Sequence, residues 1–412
     1  MLRILILGAG EAGIRAALIL REHDKDVAIS VIEAEHGDPY ERPPLSKTGL
    51  TDNTFTTQKI QTKSQLTEQN IVLLDGVEAI EFDPTLKQVM LSDGTSLSFD
   101  KLLIATGASA RTLPFEHATA EDIEHFVFTL RTANDCAKLR KKAQAGQKVV
   151  LIGAGFIGLE LAASLRALQI DVTILETQAR ILQRAIPEDI SRIVHQAHHD
   201  NGVHVLLNTH IQFVHFDEKA RITTTSGDTL EADWLVVGIG SLPNTQLAER
   251  AGLHIENGIK VNRYMQTSHK DIFAAGDVCS FPYAAAQQTV RLESWRCAQE
   301  QASVAALNML DNTITYDQAP WFWSDQYNLG LQMVGLPLGV TQSAIRRLPN
   351  EAILHFGVNE QGGLLSACGI GLGNAVAKDI KLAERIINQG VSVSIDELSD
   401  PSISLKHLLK TK

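Results

Sequence analysis

Short apolar runs that close on glycine recur along the chain and set its architecture. Ile4-Leu-Ile-Leu7 runs into Gly8, and Val149-Val-Leu-Ile152 runs into Gly153. Each run is short and continuously apolar, as expected of a strand buried on both faces of a parallel sheet. Behind each glycine the apolar positions change to a helical period, over residues 14–21 and 159–168, and a second apolar strand then ends in acid at Glu33 and Glu176. The chain therefore repeats a β-α-β unit at an interval of 145 residues. Two further apolar strands close on small residues, Leu102-Leu-Ile-Ala105-Thr106-Gly107 and Trp234-Leu-Val-Val-Gly238-Ile-Gly240, and are expected to return to the two sheets. A third, Asp271-Ile-Phe-Ala-Ala-Gly276-Asp277, follows. After Asn308 the pattern changes to short alternating strands at 331–334, 353–358 and 364–370, with one helix over 375–388. The prediction is an α/β protein: two Rossmann-like dinucleotide-binding domains followed by a C-terminal α+β domain.

The glycine spacing supplies the first chemistry. Gly8, Gly10 and Gly13 in one unit, and Gly153, Gly155 and Gly158 in the other, have the G-x-G-x-x-G spacing between a strand and a helix. The first glycine of each set permits the tight turn, the second lets the backbone approach a pyrophosphate, and the third lets helix pack closely on strand. The phosphates would sit on N–H groups at the helix N-terminus, so Glu11 and Ala12, and Phe156 and Ile157, also fall at the cofactor. The terminal acids lie 25 and 23 residues past the first glycine, where a carboxylate accepts the ribose hydroxyls of an adenosine. Glu176 fills that position in the second unit and would repel a 2′-phosphate, which favours NAD over NADP. In the first unit either Glu33 or Glu35 fits.

Composition narrows the classes. Lys plus Arg is 37 and Asp plus Glu is 48, a net charge of −11 that repels nucleic acid and anionic lipid. No stretch approaches the length of a membrane span, and the N-terminal apolar run is too short for a signal peptide, so a cytoplasmic protein is expected. Cys136, Cys279, Cys297 and Cys368 are scattered without Cys-x-x-Cys spacing. His195, His198 and His199 lie on one predicted helix, but nothing nearby completes a metal-binding motif. They are expected on an exposed polar face, and no metal is expected. Arg346 and Arg347 are likewise expected as surface charge.

Three separated motifs, Pro39-Tyr-Glu-Arg-Pro-Pro-Leu-Ser-Lys47, Arg291-Leu-Glu-Ser-Trp295 and Trp321-Phe-Trp-Ser-Asp-Gln-Tyr327, resemble the NADH-dependent ferredoxin reductases of bacterial oxygenase systems, within the glutathione-reductase-like flavoproteins. The resemblance covers essentially the whole chain. It implies a discontinuous FAD-binding domain at 1–114 and 240–318, an NAD-binding domain at 115–239 and a C-terminal domain at 319–412. It also implies hydride transfer from NADH to flavin N5, followed by single-electron steps to a [2Fe–2S] ferredoxin that serves a Rieske dioxygenase or a cytochrome P450.

By the same resemblance Lys47 lies near flavin N5 with Glu160 as its ion-pair partner, and Trp323 lies beside the isoalloxazine. Arg42 and Arg131 are FAD contacts, and so are Ala105, Thr106, Gly107, Gly276 and Asp277. Glu293, Ser294 and Trp295 lie at the pyrimidine edge, and Gly238 and Gly240 border the NAD. An acidic ferredoxin calls for a basic patch, for which Arg291, Arg296, Lys406 and Lys410 are candidates. Two alternatives stay open: an NADH oxidase or peroxidase, disfavoured by the absence of cysteine in Pro43–Lys47, and an apoptosis-inducing-factor-like signalling flavoprotein.

Overall fold

The computed structural model describes residues 1–409. Lys410, one of the patch candidates, lies outside the described residues. The chain forms two units: residues 1–41, 58–109 and 242–321 make the first, and residues 42–57, 110–241 and 322–409 the second.

In the first unit strand β1 (Arg3–Leu7) enters the glycine turn, helix α1 (Glu11–His23) follows, and β2 (Ala28–Glu33) ends in the acid. With β3 (Ile71–Asp75), β4 (Lys101–Ile104) and the late strand Ile272–Ala274 they form a five-stranded parallel sheet. Its order is Ile272–Ala274, β4, β1, β2, β3. Ile4, Ile6, Val31, Leu103 and Ile104 are buried, as strands covered on both faces require. Helix α1 packs against the helix Trp295–Met309, where Ala12, Ala16, Ala298 and Ala302 are buried between the backbones.

The second unit repeats this plan. Strand β5 (Lys148–Ile152), helix α2 (Phe156–Ala167) and strand β6 (Asp171–Leu175) are followed by helix α3 (Glu188–Asp200), β7 (His204–Leu206) and β8 (Trp234–Val237). The parallel sheet runs β7, β6, β5, β8 and the short strand Val127–Phe128. A three-stranded antiparallel sheet accompanies each parallel one, at 79–98 in the first unit and 211–232 in the second. The second unit also carries a five-stranded antiparallel sheet of β9 (Trp321–Gln326), β10 (Leu329–Gly335), β11 (Gln342–Arg347), β12 (Ile353–Val358) and β13 (Leu364–Leu372), in the order β9, β10, β13, β12, β11. Helix α4 (Ala377–Gln389) packs on that sheet with Ile380, Ala383 and Ile386 buried, and the expected α/β plan with a C-terminal α+β part is the one observed.

Two expectations fail here. Arg346 is 2% exposed, not surface charge. Strand β11 alternates, so Arg347 faces out and Arg346 faces in, where its guanidinium donates to the carbonyls of Leu398 (2.7 Å), Glu397 (2.7 Å) and Ile403 (3.0 Å). His198 is fully buried, not on an exposed face. It continues the i, i+4 stripe of Ile190 and Val194 on α3, whereas His199 lies on the exposed side.

Candidate functional site

The two glycine turns agree bond for bond. Gly8 and Gly153 have φ of +103° and +102°, in the region open to glycine. The N–H of Gly8 donates to Ile32 and that of Gly153 to Leu175, both at 2.8 Å. A Cβ on either would strike a strand-end carbonyl, that of Ala105 or of Gly238. A Cβ on Gly13 or Gly158 would strike the carbonyl of the first glycine of its own turn. Gly10 and Gly155 differ, for a Cβ there would meet nothing within 4 Å, so the approach to the turn is open. Gly10 and Gly155 are the N-caps of α1 and α2, and neither helix start is capped by a side chain. Open approach, uncapped N–H donors and the dipole of a helix more than ten residues long fit a pyrophosphate in both units.

The acids repeat the same equivalence. Glu33 accepts from the N–H of Ala9 (2.6 Å) and of Glu35 (2.9 Å), and Glu176 accepts from Ala154 (2.8 Å) and Gln178 (2.9 Å). Glu33 is thus the structural counterpart of Glu176. Glu35 is turned elsewhere, its carboxylate accepting from the Tyr40 hydroxyl at 2.7 Å. Arg180, four residues beyond Glu176, donates to the carbonyl of Gln183 in its own loop.

The remaining first-unit candidates gather around the ends of β4 and Ile272–Ala274. Ala105 donates to Leu7, the Thr106 hydroxyl donates to the carbonyl of Asn244 (3.0 Å), and Gly107 has φ +65°. Gly276 has φ +82° and donates to Gln301 at 2.9 Å, while Arg291 donates to the Asp277 carbonyl. Glu11 accepts from Gln299, and burial raises its pKa. Ser294 is a helix cap: its hydroxyl accepts from Cys297 and donates to the Trp321 carbonyl at 2.7 Å. Asn244, Gln299 and Gln301 belong to no motif, so nothing local in the sequence marks them. Arg291 and Arg296 are engaged by Glu293 (2.9 Å) and Glu300 (2.7 Å), and Arg291 is only 11% exposed. Lys406 is exposed.

In the second unit Lys47 follows the 3₁₀ turn Pro43–Ser46, and its ammonium lies 2.8 Å from Glu160 of α2. Glu160 is 4% exposed. Its Oε2 also accepts from the Ser46 hydroxyl (2.5 Å) and its Oε1 from the Ser324 hydroxyl of β9 (2.6 Å), so the buried carboxylate has three donors. Arg42 donates to the carbonyl of Arg131 at 2.7 Å, which brings those two candidates together. Trp323 is half-buried on β9. Phe156 packs its ring 4.4 Å from Phe322, Ile157 is exposed, and Gly240, with φ +101°, accepts from the N–H of Arg111. Ser46 and Ser324 lie inside quoted motifs, but their role depends on where α2 brings Glu160.

All four cysteines are free and buried. Although Pro43–Lys47 lacks cysteine, Cys136 reaches that turn from elsewhere in the chain, its Sγ 3.4 Å from the Leu45 carbonyl. Burial pushes this thiol up, so it stays protonated and serves as packing rather than as a nucleophile.

Residues 2–302 match the pyridine nucleotide-disulphide oxidoreductase family, and residues 321–409 match the reductase C-terminal family. The chain belongs to the first and carries the second behind it. It is 37% identical over 410 residues, 98% of either chain, to the anthranilate 1,2-dioxygenase system ferredoxin–NAD(+) reductase component of Burkholderia cepacia. Rhodocoxin reductase of Rhodococcus erythropolis is also 37% identical, over 83% of this chain and 80% of its own. Among solved structures, the covalent putidaredoxin reductase–putidaredoxin complex superposes with a TM-score of 0.92 at 32% identity, covering 100% of this chain and 99% of the other.

Proposed function

We propose that this chain is an FAD-dependent NADH:ferredoxin reductase, an oxidoreductase that passes electrons to the [2Fe–2S] ferredoxin of an oxygenase system, either a Rieske dioxygenase or a cytochrome P450. The observation that carries the reading is the duplicated dinucleotide turn, two sites of one construction in a chain whose full-length relatives are ferredoxin reductases. The alternatives of oxidase, peroxidase and signalling flavoprotein have no comparable support, and the thiol nearest the Pro43–Lys47 turn is a neutral buried one.

Bound FAD supplies the chemistry, taking a hydride from NADH and releasing electrons singly. The protein's own residues bind and orient. The open turn at Gly10 and the N-terminus of α1 hold the FAD pyrophosphate, with Ala12 at the helix start and Glu33, the counterpart of Glu176, on the ribose. Gly155 and α2 do the same for NAD(H). Glu176 accepts two ribose hydroxyls and excludes a 2′-phosphate. Lys47, oriented by Glu160, supplies positive charge that favours a reduced, anionic ring. Asp277 and the helix start at Trp295 would hold the flavin from the first unit, and Trp323 is assigned to the flavin by its motif alone. The domain division follows as FAD at 1–114 and 240–318, NAD at 115–239 and a C-terminal reductase domain at 319–412.

No helix among the described residues is long and apolar enough to cross a membrane. A cytoplasmic location is part of the proposal, supported by four unpaired cysteines. The test is NADH-dependent cytochrome c reduction with and without a [2Fe–2S] ferredoxin, with peroxide monitored. A rate that saturates with ferredoxin is expected. Rapid ferredoxin-independent consumption of oxygen overturns the reading.

A further inference from the structure

Glu160 is the inner end of a longer buried chain. The Tyr327 hydroxyl lies 3.0 Å from His198 Nδ1, His198 Nε2 lies 2.8 Å from Gln326 Oε1, Gln326 Nε2 donates to Ser324 Oγ at 3.1 Å, and Ser324 donates to Glu160 Oε1 at 2.6 Å. Only one orientation of the protons satisfies every link. Glu160 is an acceptor, so Ser324 must donate to it and accept from the Gln326 amide. Gln326 then presents its carbonyl to His198, which must carry its proton on Nε2 and accept at Nδ1 from Tyr327. Each O–H or N–H along the chain thus points toward the carboxylate, and dipoles aligned in a water-excluded site reinforce one another.

The surroundings keep the chain in that state. Burial holds His198 neutral, its pKa lowered to about 4, and pushes the Tyr327 hydroxyl up to about 12. The charged and titratable groups facing the chain are Lys47 at Glu160, His195 beside His198 on α3, and Arg166 of α2 toward Tyr327. Tyr327 stands at the two-residue turn between β9 and β10 with φ +56°, as tight hairpin turns require. On β9 the alternation places Ser324 and Gln326 inward, both 5% exposed or less, with Asp325 outward. Two polar residues on the buried face of one strand are costly to burial unless paired.

We propose that Tyr327, His198, Gln326 and Ser324 form a directional hydrogen-bond chain that positions the Glu160 carboxylate and through it orients the ammonium of Lys47. They are positioning residues. The proposal rests on the reading of Lys47 and Glu160 as a working pair in flavin reduction.

The test follows Glu160 directly. Infrared spectra of the holoenzyme at about pH 8 report the carboxylate stretches of Glu160, assigned as the bands lost in Glu160→Gln. These stretches follow the hydrogen bonds the carboxylate accepts, so in Ser324→Ala they are displaced from their wild-type frequency, and the rate of flavin bleaching by NADH falls roughly threefold or more. Ser324→Thr, which keeps the hydroxyl, restores both. Gln326→Leu cannot donate to Ser324 and displaces the bands in the same direction. Tyr327→Phe, at the half-buried end where folding is least at risk, removes the donor to neutral His198 and raises the histidine titration above about 4, read by imidazole NMR.

If Ser324→Ala and Gln326→Leu lower melting temperature and flavin content but leave both the Glu160 bands and the bleaching rate unchanged, the chain is packing only and the proposal fails. If the bands shift but Lys47→Met and Glu160→Gln bleach at the wild-type rate, the chain positions Glu160 as proposed and the reading of the pair in catalysis is what fails.

Discussion

At each glycine turn a single carboxylate takes the N–H of the residue after the first glycine. Glu33 and Glu35 are equally acidic and two positions apart, but only Glu33 ends the β2 strand in register with the Gly8 turn and takes the N–H of Ala9. Its counterpart Glu176 is the residue proposed to set nucleotide specificity. Glu176→Arg removes a charged acceptor from the ribose hydroxyls, a loss of about 1.5–3 kcal/mol, so kcat/KM for NADH should fall roughly 10- to 100-fold while NADPH use rises. Steady-state kinetics with both nucleotides checks this. Gly8→Ala is expected to purify with little flavin, since φ is +103° and the new methyl group meets the Ala105 carbonyl. The absorbance ratio of flavin to protein is the readout.

Among the elements, the C-terminal helical turns are tied to β11 by Arg346 as well as by the buried Leu398. Arg346 bonds three carbonyls around the end of the short helix Ile395–Ser399, where a cation also complements the helix dipole. Arg346→Leu leaves those carbonyls unsatisfied in a buried site and should cost about 3 kcal/mol or more, measurable as a lowered urea midpoint and as early hydrogen exchange in 395–409. Arg347→Leu, one residue away on the outer face, should be nearly neutral. At the start of the helix Trp295–Met309, Ser294→Ala removes the cap and should lower stability by about 1 kcal/mol.

The whole molecule carries a pH dependence written by His198. Its folded pKa, about 4, lies below the ordinary 6.5, so the unfolded chain binds the proton first as pH falls. The contribution is therefore fully present above about 6.5 and is lost progressively toward about 4, a span worth about 3 kcal/mol. Acid denaturation should begin in that window, and His198→Gln, which cannot titrate, should flatten it. The net charge of −11 sets a second whole-molecule constraint. With Arg291 and Arg296 already paired to carboxylates inside the chain, an acidic partner meets few free cations at those positions, and Arg296→Glu should leave the ferredoxin KM little changed.

The sequence by itself determined the elements that depend on local pattern. Glycine spacing needs only a strand before and a helix after, so both dinucleotide units, their parallel sheets and the change to an antiparallel C-terminal part were readable from residue order. The duplication was readable too, down to the terminal acids, because it repeats in the chain itself. What only the tertiary structure decided was which polar groups share a buried environment. Nothing local distinguishes Arg346 from Arg347 or His198 from His199; the inward face of β11 and the apolar stripe of α3 do. Glu33 was separated from Glu35 by strand register. The chain from Tyr327 to Glu160 joins residues up to 167 positions apart, and their pairing follows from desolvation, which forces each buried donor to find an acceptor wherever the fold has placed one.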